Sequence, residues 1–535
     1  MMFLYYPLIL ISILGYGLFA SKKLIKLNTS NFGYLGIVGI FFLLLISYIS
    51  TQFIAHDQAF NTLILLIGLS LFIFYFKQLN IDKKNIRLLV TIFILSLIFI
   101  LVGKNHDDFH YYHFSYIVTL TEYPHPIGLG KLNHGFKTHS SIFLLSSLFS
   151  LPAAKYSLFH LVPAYILVFS NFILIKLIFN KDICKNYIFI TFLSLSSLVF
   201  INSFFYRLGE HGTDRSAMIL IILLLVNYIY FINKKLEKIN SDYLKIFTII
   251  FTIIISLKAL YIVYVVLFFP LIIYVYQRTK SVNLFINKNL FLCFLLFCFV
   301  ILTNFLNTGC LLFPEKKTCF LNTPWSLPLS TVEYLGIHYE NWAKAGSGAG
   351  YALKNIDKLN YISDFNWVQN WVDKYFFNKV SDFLFSLAFM TITFVVLFKS
   401  SKSLEIYKRN YKLLFVLLLV IFVVWFSLHP LLRYGGYHLF FLIVFIPTSL
   451  FLEKFSKNIK NLDRKILVIV MITVLVFIGR NANRLIKEYK INSYNPLVNF
   501  NYPLNKDSFN MQKRIKEMID EKKAKEIYKN RYIVF

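Results

Sequence analysis

Apolar runs long enough, or nearly long enough, to cross a bilayer recur along this whole chain, and no soluble fold buries so many. They fall near residues 3–20, 33–53, 60–76, 88–103, 156–179, 187–201, 216–232, 246–257, 259–276, 290–306, 382–398, 412–428, 437–452 and 466–479. With 57% hydrophobic and 15% charged residues and a mean hydropathy of +0.63, the chain reads as an all-α integral membrane protein of about 14 (12–14) transmembrane helices. The first run, Phe3 to Ala20, is followed rather than preceded by Lys22, Lys23 and Lys26. It therefore reads as a retained span with its N-terminus outside, not as a secretory leader.

A formal net charge of +29 would suit a nucleic-acid binder, but the lysines lie in short loops between apolar runs rather than in one patch. Such loops are cytoplasmic by the positive-inside rule, which accounts for residues 21–31, 77–87, 181–185, 234–245, 278–288, 399–412 and 454–465. Both ends of the apolar stretch 246–276 are then inside, so it must turn as a hairpin near Leu257-Lys258-Ala259. The outer side receives His56-Asp57, the acidic loop 104–138, residues 206–215, Lys258, the segment 307–380, residues 429–438 and the tail from Arg480. Nearly every unusual polar residue falls on this one face, although the charge rule did not use them.

These breaks divide the chain into N-terminal spans (1–103), an outer acidic loop with an interfacial helix (104–155), a central bundle (156–306), an outer insertion rich in Trp, Tyr and Gly (307–380), C-terminal spans (381–479) and an outer tail (480–535). His139 to Pro152 is apolar but too short to cross, with serines at helical spacing, and is expected to lie in the interface or dip into it. The tail from Asp507 to Lys529 has a charged helical pattern.

The residues with most chemical potential are Asp107 and Asp108, an acidic pair at the lip of a span beside His110 and His113. One such carboxylate can take a proton from a hydroxyl while its neighbour orients a substrate or holds a divalent cation; solvated loop carboxylates are the plainer reading. Lys258 breaks an otherwise apolar stretch, so its amine either snorkels or pairs with an anion such as a lipid phosphate. Arg433, in a turn followed by Gly435 and Gly436, suits bidentate phosphate binding or a pair with another outer carboxylate. Arg207, Asp214 and Arg215 crowd the entry to a span; Asp214 reads first as a helix cap and second, with its neighbours, as a sugar-phosphate contact.

Trp342 and the aromatic residues around it suit sugar stacking or a membrane-interface belt. Cys310 and Cys319 are placed to form a disulfide on an oxidising face, while Cys184, Cys293 and Cys298 read as small apolar residues. The histidines 110, 113, 125, 134 and 139 match no zinc spacing, and no metal ligand set is assigned.

The segments Asp107-Asp108-Phe109-His110-Tyr111-Tyr112-His113, Asn133-His134-Gly135-Phe136, Thr308-Gly309-Cys310 and Arg433-Tyr434-Gly435-Gly436 resemble bacterial polytopic membrane proteins of surface-polysaccharide synthesis. More distantly, an acidic pair in an outer loop, an amphipathic segment after it and a many-span core look like the GT-C class of glycosyltransferases. That class usually carries its acidic loop after the first span, whereas here it follows the fourth. The resemblance implies a polyprenyl-phosphate-linked sugar donor, a glycolipid or glycan acceptor and a carboxylate base, Asp107 or Asp108, facing outward from the bacterial inner membrane. No nucleic acid is implied as a partner. Two other classes stay open: a polysaccharide polymerase or ligase, and a transporter of lipid-linked glycans that does no chemistry.

Overall fold

A computed structural model describes residues 2–78, 82–101, 108–154, 156–206, 213–233, 241–346, 357–399, 411–455, 461–495 and 506–525. Among them the regular secondary structure is helical, and an isolated β-bridge pairs Cys310 with Cys319. The N-terminal half contains α1 (Met2–Phe19), α2 (Phe32–Ser50), α3 (Gln58–Phe76), α4 (Lys83–Leu95), α5 (Phe114–Glu122), α6 (Ser141–Ser147), α7 (Leu161–Ile178), α8 (Ile188–Phe204), α9 (Thr213–Asn233) and α10 (Ser241–Leu257). Then follow α11 (Phe268–Thr279), α12 (Lys288–Thr308), α13 (Leu329–Lys344), α14 (Ser381–Phe398), α15 (Lys412–Leu428), α16 (Gly436–Glu453), α17 (Leu462–Asn492) and α18 (Lys506–Lys525).

Among the described residues nine helices are long and apolar enough to cross a membrane. They comprise α1, α2, α3, α7, α9, residues Ala259–Thr279, α12, residues Val368–Phe398 and α16; α8 and α15 are apolar but shorter. Several begin where a side chain relieves the free amides of the first turn. Asn31 accepts from Gly33 and Tyr34 ahead of α2, Asp57 from Phe60 ahead of α3, and Asn287 from Leu290 ahead of α12.

Helices α1, α2 and α3 pack backbone to backbone because glycine faces them at the crossings. A Cβ on Gly15 would lie 1.9 Å from the Gly68 carbonyl oxygen, and one on Gly39 would lie 2.0 Å from that of Ile13. Inside a membrane, where hydrocarbon gives helices no hydrophobic reason to associate, such close approach supplies the dispersion contact instead. The middle helix α9 is surrounded by others, whereas α3 and α14 present most of their surface outward.

The lysine-rich segments meet one another at one end of the bundle. Lys245 donates to the Lys26 carbonyl at 2.7 Å, Lys22 to Gln78 at 3.3 Å and Lys176 to Asn85 at 2.9 Å. Each contact joins two segments that the charge pattern assigns to the same side. At the far end of α10 the chain breaks at Lys258, runs as a 3-10 helix over Ala259–Leu267 and returns. Phe268 packs on Phe247 and Phe251, with ring centroids 5.0 and 4.9 Å away, so the two arms are antiparallel and Lys258 sits at the tip.

In three places the structure adds to the sequence reading. The stretch after Asp108, read as an outer loop with a short segment in the interface or dipping into it, packs within the bundle: Phe114–Leu120 and all of α6 are buried, against α2, α7 and α10. Its serines meet backbone and one another: Ser140 Oγ donates to Leu257 O at 2.8 Å, Ser141 Oγ lies 2.9 Å from Ser256 Oγ, and Ser47 donates to Leu144 O at 2.7 Å. Next, α17 runs unbroken through residue 480 to Asn492, so the tail does not begin where the apolar run ends. Finally, the charged helical pattern expected from Asp507 forms α18 (Lys506–Lys525), which folds back onto α5, with Ile515 buried and Gln512 bonded to Glu122 at 3.3 Å.

Replacing Gly39 with leucine places branched carbon against the Ile13 backbone, which cannot step aside as a side chain would. Overpacking of this kind costs about 1–3 kcal/mol. A lower midpoint for loss of the monodisperse peak on heating in detergent is expected, with Leu44→Met close to wild type.

Candidate functional site

Four charged groups from distant parts of the chain converge where α9 begins, α10 ends and the turn after α15 approaches. Asp214, in the first turn of α9, does not act as a helix cap alone. Its Oδ1 lies 2.7 Å from Lys258 Nζ and its Oδ2 3.5 Å from Arg433 Nε. Asp108 lies close enough to Asp214 and Arg433 to act on both electrostatically. The ring of Tyr434 is shared, 4.9 Å from Lys258 Nζ and 5.0 Å from the Arg433 guanidinium carbon.

The cluster is neither sealed nor fully solvated. Side-chain exposure is 16% for Asp214, 30% for Lys258 and 39% for Arg433, so the cations retain open surface on which an anion can settle. Burial works against the charge on Arg433, but Tyr434, Asp214 and Asp108 together raise its pKa further still. Tyr112 is held neutral, first by burial and then by the Asp108 and Asp214 carboxylates. His429, one turn of chain before Arg433, is pushed down to about 4 by burial and by Lys258 and Lys344.

Local structure fixes each member. Asp108 opens a π-helical turn over Phe109–His113, a geometry frequent at functional sites because the widened turn displaces side chains from the ordinary helical face. Lys258 is set by the hairpin and by Ser140, which holds the preceding carbonyl at Leu257. Three aromatic side chains grip the backbone leading to Arg433. Trp371 Nε1 donates to Pro430 O at 2.8 Å, Trp425 Nε1 to Leu431 O at 3.0 Å, and Leu432 N donates to Tyr375 Oη at 3.0 Å. Gly435, at φ +148°, then lets the chain turn beneath Trp425 into α16.

Of the residues chosen from sequence, Asp108, Asp214, Lys258 and Arg433 are brought together. Asp107 and Arg207 lie outside the described residues. His113 is buried between Tyr112 and Phe143, centroids 4.4 and 4.8 Å away, and His110 packs edge-on to Phe109. Arg215 lies near Tyr437. Trp342 belongs to a separate row of rings on α13. Sequence reasoning did not single out Tyr112 and Tyr434; the signal available was their position inside the two motifs that carry the charges. Cys310 and Cys319 are joined in a disulfide. Among the described residues no group of three or more His, Cys, Asp or Glu side chains is placed to hold a metal ion.

The chain belongs to the family described as domain of unknown function (DUF8201), whose model matches residues 1–441. No curated protein and no solved structure matches it. The matched region contains all four charged residues of the cluster, whereas α17 and α18 lie beyond it.

Two outcomes follow from the geometry. In a double-mutant cycle on thermal stability, Asp214→Asn and Lys258→Met should couple by about 1–2 kcal/mol, because removing one partner leaves the other poorly compensated; additivity would mean that the pair is not formed. The second concerns pH. His429 is depressed in the folded state, so below the usual histidine pKa the unfolded chain takes up a proton that the folded chain refuses. Its share of stability is complete above about pH 6.5 and is lost as pH falls towards 4, at up to about 1.4 kcal/mol per pH unit. His429→Gln should make the acid limb of a melting-temperature profile shallower.

Proposed function

We propose that this member of the DUF8201 family is a GT-C-like membrane glycosyltransferase that moves a sugar from a polyprenyl-phosphate-linked donor to a glycolipid or glycan acceptor in cell-surface polysaccharide synthesis. The observation that carries the reading is the bridging of Lys258 and Arg433 by Asp214 beside Asp108, with both cations partly open. On this reading the helices cross the bacterial inner membrane about 14 times, and the cluster faces away from the cytoplasm. The separation of Lys-rich segments from the cluster along α10 supports that sidedness, and so does the disulfide, since such bonds persist on oxidising faces.

The acceptor hydroxyl oxygen attacks the anomeric carbon of the donor sugar, and the bond from that carbon to the phosphate oxygen breaks. Asp108 takes the hydroxyl proton, with Asp107 orienting the acceptor or a divalent cation. The phosphate leaves with the bonding electron pair, and Lys258 and Arg433 meet its growing charge, so no strong acid is required. Before donor binds, the two carboxylates of Asp108 and Asp214 balance the two cations. An arriving phosphate adds negative charge, which raises the proton affinity of Asp108 at the moment it must act as a base. Asp214 is a positioning residue that holds both cations in place.

Purified protein in liposomes with labelled lipid-linked sugar tests the scheme. Wild type should lengthen the acceptor by one sugar. Asp108→Asn should lower the rate at least about 100-fold without altering insertion, and Arg433→Lys should lower it through loss of the planar fork. Undiminished transfer by both Asp107→Asn and Asp108→Asn would remove the catalytic claim. Movement of lipid-linked glycan across the bilayer without change of mass would show a transporter, and joining of repeat units a polymerase.

A further inference from the structure

Tyr334, His338 and Trp342 stand four residues apart on α13, so they share one face and advance by about 6 Å per step. The Tyr334 and His338 rings are nearly parallel, 14° apart with centroids at 6.0 Å, and Trp342 follows 6.2 Å from His338. This row is open: Tyr334 is 52% and Trp342 39% exposed. At its outer end Lys358 Nζ stands 4.9 Å from the Tyr334 ring centroid.

The row leads inward. His134 packs against both His338 and Tyr339, centroids 5.9 and 5.2 Å away. Tyr339 reaches within electrostatic range of Tyr434, the ring shared by the two cations, and its buried hydroxyl has no hydrogen-bond partner. The turn bearing His134 lies on Tyr112, for a Cβ on Gly135 would come 2.2 Å from that ring. Ring contacts therefore run from the surface of α13 to His134 and Tyr339, and the turn carrying His134 rests on Tyr112 beside the charged cluster.

A membrane-interface belt uses the same residue types, but its rings face lipid. Here the middle ring, His338, packs on His134, and the row leads through these imidazoles to an unmet phenol that acyl chains would leave unsatisfied. A pyranose has C–H faces for the rings and hydroxyls for those polar edges. We propose that Tyr334, His338 and Trp342, continued by His134 and Tyr339, bind the pyranose units of the acceptor oligosaccharide and lead its terminal hydroxyl to the cluster. This rests on the reading of the cluster as a sugar-transfer site.

The test is saturation-transfer NMR on the full chain in nanodiscs, with hexasaccharides of glucose, N-acetylglucosamine and galacturonic acid as probes. At least one should show saturable transfer to its ring C–H protons. Trp342→Ala should weaken that affinity about tenfold or more, matching loss of one ring stack, and Trp342→Tyr, which keeps a ring and guards against misfolding, should restore most of it. No saturable signal from any probe, or wild-type affinity in Trp342→Ala, overturns the proposal. If sugar transfer is found with an acceptor KM untouched by Trp342→Ala, the subsite falls and the transferase reading stands. If glycan binds through Trp342 and no transfer occurs, the reverse holds.

Discussion

An aspartate held between a lysine and an arginine at the edge of a hydrocarbon-spanning bundle is the interaction around which this molecule is arranged. Charge so placed is costly unless it is paired, and Asp214 pairs with Lys258 and Arg433 at once. The three side chains arrive from the start of α9, a hairpin tip and a turn between α15 and α16. Satisfying them together fixes how those helix ends meet. Asp108 and Tyr434 complete a group whose positive and negative members are equal in number, yet whose cations keep open surface.

The surroundings act as a rigid frame rather than as loops. The short helix α6 is wedged among α2, α7 and α10, and its flanking serine anchors the backbone that precedes Lys258. On the other side, two indole N–H groups and one phenol hold successive backbone groups from Pro430 to Leu432. Cations held in this way would need little reorganisation to meet an anion, the condition under which fixed charges act most strongly.

Sequence carried part of this. Lys258 was legible as a hairpin tip because a lone amine in a long apolar run has few affordable positions, and the ring contacts of Phe268 bear the turn out. A shared pocket for Arg433 and Lys258, and a pair between Arg433 and an outer carboxylate, were legible; the bridging of both cations by the one carboxylate of Asp214 was not. Asp214 stands where an ordinary helix cap would stand, so its local sequence gives no reason to prefer a distant partner. The burial of Phe114–Leu120 and of α6 was hidden for a related reason. Serine, histidine and asparagine lower hydropathy, yet here they are satisfied internally, as when Asn61 Nδ2 bonds the carbonyls of His56, Ser147 and Ser150. Hydropathy reads composition and cannot see such partners. Likewise, the periodicity of Tyr334, His338 and Trp342 was visible, but the side to which they turn depends on His134, far away in the chain.

The wide spacing of these charges along the chain bears on biogenesis. Arg433 is the last of the four to leave the ribosome, after Asp108, Asp214 and Lys258 have been handed to the insertion machinery. Until the turn before α16 emerges, the cluster carries two carboxylates against one ammonium, and Asp214 has Lys258 alone as its cationic partner. Arrival of that guanidinium then evens the charge, so a chain ending just ahead of it would keep one carboxylate in excess at the ends of α9 and α10.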